Sequence, residues 1–415
     1  MSEVPRGAAV IGQSGGPTVV INQSLVGAVE AARGQESITR FFGARHGVQG
    51  ILDQDLVDLS RENPEHLEKV ARVPAAALGS VRKKPTEEEC ARMVEVFRRH
   101  DIRFFFYIGG NDSAETAHIV ERLTREQGWE MRCFHIPKTI DNDLRVTDHC
   151  PGYGSAARFV AHAFQGDDRD NRSLKGVKIN VVMGRHAGWL TAASTLGQRE
   201  GADDGPHLVY VPERTFDPDR FLDAVEEVYG RLGRCIVAVS EGIHDADGRP
   251  FLQVYAEMSG SALAGERDSH GNIQLSGTGA LGDALAALVK GRLGKVRVRA
   301  DTFGYLQRSF PADVSPVDAR EAREVGRFAV CAALGGEAAS GSVALRRLEG
   351  PDYAAECFLT SLDQVARVTR DLPEEYLDGE HGIAPAFRAY ALPLTGGIEP
   401  MTDLAGHPVE TGIQA

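Results

Sequence analysis

Residues 136–143 read IPKTIDND, which crowds a lysine, a threonine and two aspartates together directly after the apolar run CFHI. Lys138 can hold an anion, and a carboxylate such as Asp141 can take a proton from a reacting hydroxyl held within hydrogen-bond reach. A lone aspartate in such a loop is more often a turn or helix-capping residue, so its surroundings must decide. Residues 14–18, SGGPT, raise a similar question. Their glycines serve either a tight strand-to-helix turn or a bed of backbone N–H groups for phosphate at a helix start. The stretch lacks the GKS or GKT of a Walker loop, and the two readings stand level. PGYGSAAR at 151–158 contains GxGxxA, but it follows VTDHC, a poor strand. A dinucleotide fingerprint needs a strand directly before it.

The elements that position these residues are strands alternating with helices. AAVIG (8–12) reads as a strand leading through SGGP to a helix from about Asn22, and FFFYIGG (104–110) as a buried strand before the helical spacing of SAETAHIVERL. VKINVVMG (177–184) and CIVAVSEG (235–242) repeat the pattern of β-branched run, turn and helix. Such alternation predicts an α/β fold of parallel sheets with helices on both faces, whose ligands gather at the carboxyl ends of the strands. The stretch after about Leu392 reads as loop, with poorly ordered last residues expected.

With 415 residues, 42% hydrophobic and 25% charged, the chain can bury large cores, and its length favours two domains or more. The 59 acidic residues outnumber 46 basic ones, and this net charge of −13 argues against nucleic acid as a partner. A small anionic ligand stays open wherever arginine and lysine meet glycine-rich turns. No run approaches the roughly eighteen apolar residues of a membrane span, and MSEVPRGAAV lacks the layout of a signal peptide, so no membrane partner and a cytoplasmic location are expected. The six cysteines (90, 133, 150, 235, 331, 357) form no CxxC pair or zinc-ligand spacing, which predicts reduced and mostly buried thiols.

The ordered set of turns breaks the tie. SGGPTVVIN at 14–22, LGSVR at 78–82, IGGNDS at 108–113, PKTIDND at 137–143, MGRHAG at 183–188, SEGI at 240–243 and GYLQRS at 304–309 follow one another along the chain. In this order and spacing they resemble the phosphofructokinase family over roughly residues 8 to 335, with TIDND, MGR and the QR turn the most specific. The resemblance implies two Rossmann-like three-layer α/β domains with mainly parallel sheets. A donor domain would span 1–152 plus about 307–360, and a sugar-phosphate domain about 153–306 plus 361–415. It also implies Mg2+ as cofactor, transfer of phosphate to the 1-hydroxyl of fructose 6-phosphate, and a homodimer or homotetramer whose active site is shared across an interface.

Two positions separate donor choices in that family. ATP users usually carry glycine where this chain has Asp112 and Lys138, and both residues match the branch that uses diphosphate. A carboxylate at the first position fills the space of a nucleotide α-phosphate and repels it by about 4 kcal/mol at ~4 Å and an effective dielectric near 20. Lys138 can pair with diphosphate itself.

By the same resemblance, Asp141 is the general base, Lys138 and Arg185 stabilise charge on the transferred phosphate, and Asp112 completes the catalytic positions. Gly16, Arg82, Asp112 and Lys138 would hold diphosphate. Thr139, Ile140, Asp141, Met183, Gly184, Arg185, Glu241, Arg299, Tyr305, Leu306, Gln307 and Arg308 would hold the sugar phosphate. Glu241 is expected on sugar hydroxyls, Arg308 as a fork on the 6-phosphate, and Arg299 on the 6-phosphate of a neighbouring subunit. Tyr305 stands where ATP users usually have histidine. Asn111 replaces the family's metal-associated aspartate, leaving Asn111 and Asp143 for Mg2+. The second intersubunit arginine falls at or near Gly176, with Lys175 or Lys178 as candidate substitutes. An ATP-dependent kinase and a non-catalytic regulatory subunit of the same fold are the alternatives; intact Asp141, Arg185 and Arg308 argue against the second.

Overall fold

The computed structural model describes residues 4–259, 279–336, 338–366 and 368–406. Five strands come first, β1 (Gly7–Gln13), β2 (Ile38–Ala44), β3 (Leu56–Asp58), β4 (Ile102–Gly109) and β5 (Arg132–Pro137). Then follow β6 (Val177–Val182), β7 (Leu208–Tyr210), β8 (Cys235–Ser240) and β9 (Val298–Thr302). The chain returns for β10 (Ser340–Arg347) and β11 (Ala355–Thr360), and ends with the short pair β12 (Leu377–Asp378) and β13 (Gly382–Ile383). The first sheet has the order β11-β10-β5-β4-β1-β2-β3 and the second β7-β8-β6-β9. Every pairing in the second sheet is parallel; in the first only the edge strands β3 and β11 run antiparallel. The α/β character and mainly parallel sheets read from the sequence are therefore present.

Burial on both faces explains the continuous apolar runs. Along β4, Phe104, Phe106 and Ile108 pack with the helices Ile21–Ala32 and Pro316–Gly335. Phe105 and Tyr107 point the other way, into the helices Val48–Asp53, Glu87–Arg99 and Asn111–Glu126. Each such side chain contributes about 1.5–3 kcal/mol by leaving water. In the second sheet Val182, Ile236 and Ala238 meet the helix Tyr153–Ser173, while Ile179, Val181 and Val237 meet the helices Pro218–Leu232 and Ala280–Leu293.

The crossing between the sheets is fixed by a buried acid. Asp318, in the first turn of the helix Pro316–Gly335, accepts hydrogen bonds from the backbone N–H groups of Gly152 (2.8 Å) and Ser155 (2.9 Å), and so caps the helix that leads to the second sheet. Gly152 (φ +109) is the first glycine of PGYGSAAR; a Cβ there would lie 2.5 Å from the Thr18 methyl, so the glycine serves close packing. Only isolated bridges, and no strand, lie between β5 and that helix, in line with the weak dinucleotide reading. Four cysteines (90, 133, 150, 235) are buried, Cys357 is half-buried and Cys331 exposed. After Leu392 a 3-10 turn over Pro393–Thr395 gives way to irregular chain, and 407–415, where poor order was expected, lie outside the described residues. Among the described residues no helix is long and apolar enough to cross a membrane.

Candidate active site

Apart from LGSVR, which follows the helix Pro64–Ala71 and irregular chain, the turns that carry the family resemblance follow the carboxyl ends of the parallel strands β1, β4, β5, β6, β8 and β9, where such sheets place their ligands. A cleft of about 270 Å3 is lined by Ser14–Gly16 after β1, Gly110–Ser113 after β4, and Lys138, Thr139, Asp141 and Asp143 after β5, with Val81–Lys84 closing one side. The loop bearing Arg82 is zipped to the first turn: Gly15 N–H donates to Val81 O (3.1 Å) and Ser80 Oγ to Gly15 O (2.6 Å). Behind it Gln13 and Asn22, both fully buried, bond each other at 2.9 Å and accept from the Leu78 and Ala77 N–H groups.

Three cations converge on one glycine. Lys138 Nζ donates to Gly16 O at 2.7 Å. A methyl group on Gly16 would lie 2.6 Å from Arg308 Nη1 and 3.7 Å from Arg82 Nη2. No Cβ fits there without moving an arginine, so Gly16 is a close-approach glycine. Burial pushes the Lys138 amine down to about 8 even though Asp141 pulls it up, and burial together with Arg82 lowers Arg308. Arg308 also stacks 4.3 Å from the Tyr305 ring. Its guanidinium thus faces the turn expected to hold the donor.

The carboxylates show the complementary effect. Burial first and Glu241 second push the Asp141 carboxyl above its ordinary range, against the pull of Lys138, Arg308 and Arg82. Asp143 is raised by burial and then by Asp141. Asp141, from the first body of the chain, and Glu241, from the turn after β8, therefore sense each other across the gap between the two sheets. Asp141 is oriented by its N–H, which donates to Thr139 Oγ1 at 3.1 Å.

Asp112 lies in the first turn of the helix Asn111–Glu126 with its side chain 66% exposed and 4.0 Å from Lys84 Nζ. Exposure and that neighbour reduce the repulsion argued from the sequence toward the ~1 kcal/mol of charges in water, so its effect on a nucleotide is chiefly to occupy space. Asn111 lines the cleft, and its Oδ1 accepts from the Asp112 N–H at 2.9 Å. Sequence reasoning missed Lys84, which pairs with buried Glu115 at 2.7 Å; LGSVR runs on into a second and third cation, and that run was its only signal.

The remaining positions lie on the second sheet. Met183 and Gly184 follow β6; Met183 N–H donates to Gln307 Oε1 at 3.3 Å, so buried Gln307 joins MGR to the GYLQRS turn. Gly184 (φ +141) has no room for a side chain, since a Cβ would meet Ala187 O at 2.5 Å. Arg185 is half-buried and Glu241 buried. Ile140 is buried in the core around the helix Tyr153–Ser173, which leaves only its backbone for a ligand. Tyr305 and Leu306 are exposed, and Arg299 lies exposed on the edge strand β9. Gly176 is buried, with Arg297 O 2.4 Å from where a Cβ would stand, so no arginine fits. Lys178 is bonded to Asp301 and lies 3.6 Å from Asp167, while Lys175 is exposed.

Residues 8–333 match the sequence profile of the family described as Phosphofructokinase. The chain belongs to the phosphofructokinase family. It is 53% identical over 392 residues, 94% of this chain and 95% of the relative, to the pyrophosphate–fructose 6-phosphate 1-phosphotransferase of Rhodospirillum rubrum. It is 39% identical to the protein of the same name from Methylococcus capsulatus, over 94% of this chain and 91% of the relative. The crystal structure of a pyrophosphate-dependent phosphofructokinase from Nitrosospira multiformis superposes with a TM-score of 0.82 at 34% identity, covering 97% of this chain and 95% of that one. The phosphofructokinase fold read from the order of the turns is thus the fold observed.

Proposed function

We propose that this phosphofructokinase is a pyrophosphate-dependent 6-phosphofructokinase, which transfers phosphate reversibly from diphosphate to the 1-hydroxyl of fructose 6-phosphate. The carrying observation is the buried Lys138, whose Nζ bonds Gly16 O at 2.7 Å in the place where an ATP user has glycine. With Arg82 and Arg308 it offers a compact cationic wall suited to a small, highly charged anion. The names of the relatives agree with this donor.

In this reading the body built on the first sheet holds diphosphate and the body built on the second holds the sugar phosphate. The proton of the 1-hydroxyl passes to Asp141 as its oxygen bonds to phosphorus, the bridging P–O bond breaks, and inorganic phosphate leaves with the electron pair. Lys138 and Arg185 stabilise charge on the oxygens in transit. Asp143 and Asn111 are hard oxygen donors on the cleft wall, and burial, reinforced by Asp141, holds the Asp143 carboxyl high, a cost that a divalent cation there would relieve. Among the described residues no three His, Cys, Asp or Glu side chains gather into a cage, which suits Mg2+, an ion that keeps waters and substrate phosphates as ligands. When bound, Mg2+ supplies charge neutralisation at the diphosphate oxygens.

Exposed Arg299 on edge strand β9 supports a homodimer or homotetramer in which it reaches the sugar phosphate of the next subunit. A cytoplasmic role in glycolysis and gluconeogenesis follows from the proposed substrates. The reverse reaction tests the proposal: fructose 1,6-bisphosphate, Mg2+ and inorganic phosphate should yield diphosphate. Absence of diphosphate while ATP drives the forward reaction would replace the reading by the ATP-dependent one.

A further inference from the structure

Asn142, between the two candidate aspartates, is fully buried with φ 55, a left-handed backbone that costs a non-glycine residue roughly 1–2 kcal/mol. Such a conformation persists only where its surroundings impose it. Here they come from the end of the chain. Asn142 Nδ2 donates to Tyr390 Oη at 2.8 Å, and Tyr390 Oη donates to Asp148 O at 2.7 Å. Arg370 Nη2 donates to Asn142 O at 2.9 Å, its Nη1 to Thr147 O (2.8 Å) and Asp148 O (3.0 Å), and its backbone N–H to Asp143 O at 2.7 Å.

The same two side chains touch the other wall of the site. The Arg370 guanidinium stacks 4.5 Å from the ring of Trp189, whose Nε1 donates to Arg370 O at 3.3 Å, and the Tyr390 ring lies 5.4 Å from it. Trp189 opens the short helix that follows Met183–Arg185. Arg370 and Tyr390 therefore link the turn that carries Asp141 and Asp143 to the turn that carries Arg185. Both lie beyond residue 333, where the family match ends.

We propose that Arg370 and Tyr390 are positioning residues for phosphoryl transfer, clamping the left-handed Asn142 so that Asp141 and Asp143 keep their direction into the cleft relative to Arg185. The proposal rests on the reading of the site as a phosphotransferase. Misplacement of a reacting group by ~1 Å lowers turnover by up to about 100-fold, so the clamp acts on kcat and leaves ground-state binding largely intact.

The test uses the full-length enzyme. Tyr390→Phe removes one oxygen and keeps the ring against Trp189; Arg370→Lys keeps the charge and loses the fork. Per folded enzyme, kcat should fall about ten-fold for the first and ~100-fold for the second, with KM for both substrates within about two-fold of wild type. Asn142→Gly tolerates φ 55, and combining it with Tyr390→Phe should lower kcat no further than the worse single change. Backbone amide exchange over Thr139–Cys150 should accelerate in Tyr390→Phe. A fall of less than about five-fold in kcat for Tyr390→Phe, with unchanged exchange, overturns the clamp; so does a loss explained wholly by unfolded protein. Should Arg370→Lys fail to fold, the single-atom variant decides. If wild type shows no turnover with diphosphate, it is the functional reading that fails, and the exchange experiment decides whether the clamp exists.

Discussion

The ammonium of Lys138 and the carbonyl oxygen of Gly16 are 2.7 Å apart, so the turn after β5 closes onto the turn after β1 through a buried cation. That contact needs an anion to be worth its desolvation, because burial has already lowered the amine to about 8.

Lys138→Met should consequently abolish most diphosphate-dependent turnover while raising the melting temperature of the unliganded protein by roughly 2–8 °C at pH 7. The sign follows from linkage. An amine whose folded value lies below its unfolded value contributes fully only above the unfolded value, near 10.5, and that contribution is lost as pH falls through about 8. The stability gain of the variant should therefore be greatest below pH 8 and fade toward pH 10.5. Melting curves at several pH values check it; a lower melting temperature at pH 7 contradicts it.

Asp141→Asn should lower kcat by about 10^2 to 10^4, the range for a lost general base. Since burial and Glu241 hold the Asp141 carboxyl high, activity should fall with acid well above the ordinary carboxylate range of about 4. Glu241→Gln removes one of the two causes, so the acid limb of its kcat/KM profile should move to lower pH. A limb that stays put or rises would show that the base senses some other group.

Gly16→Ala forces a methyl group to 2.6 Å from Arg308 Nη1, the mobile end of a long side chain. Folding should survive with a melting temperature within about 2 °C. The KM for diphosphate should rise about ten-fold or more, the loss of one charge-assisted hydrogen bond of ~1.5–3 kcal/mol. Equal increases for diphosphate and fructose 6-phosphate would place Arg308 on both substrates.

Asp112 and Lys138 should act unequally on donor choice, one by filling space and the other by attraction. Lys138→Gly should cripple diphosphate use without creating good ATP use. Asp112→Gly should admit ATP weakly, and the double variant should favour ATP more than either single change. Kinetics of kcat/KM for both donors across the four proteins measure the coupling.

Much of this was legible in the sequence because it is local. The run FFFYIG announces a strand covered on both faces, and the glycine turns mark strand ends whatever the tertiary structure does. The clamp was not legible: Asn142 meets Tyr390 at a separation of 248 residues and Arg370 at 228, and a lone arginine and a lone tyrosine beyond the recognised turns form no motif. The same holds for the direction of Arg308. Its place in GYLQRS implies phosphate binding, but only the packed turn, with Gly16 opposite and Tyr305 beneath, turns it toward the donor. Asp112 shows the reverse: its identity is informative, whereas its exposure and its contact with Lys84, which set how strongly it repels, come from the fold.

The most direct measurement is phosphorylation of fructose 6-phosphate by the purified protein with diphosphate and with ATP in turn, each with Mg2+. A kcat/KM for diphosphate at least about 100-fold above that for ATP is the predicted result, corresponding to ~2.7 kcal/mol of discrimination. Equal use of both donors, or turnover with ATP alone, would contradict the assignment of donor choice to Lys138 and Asp112.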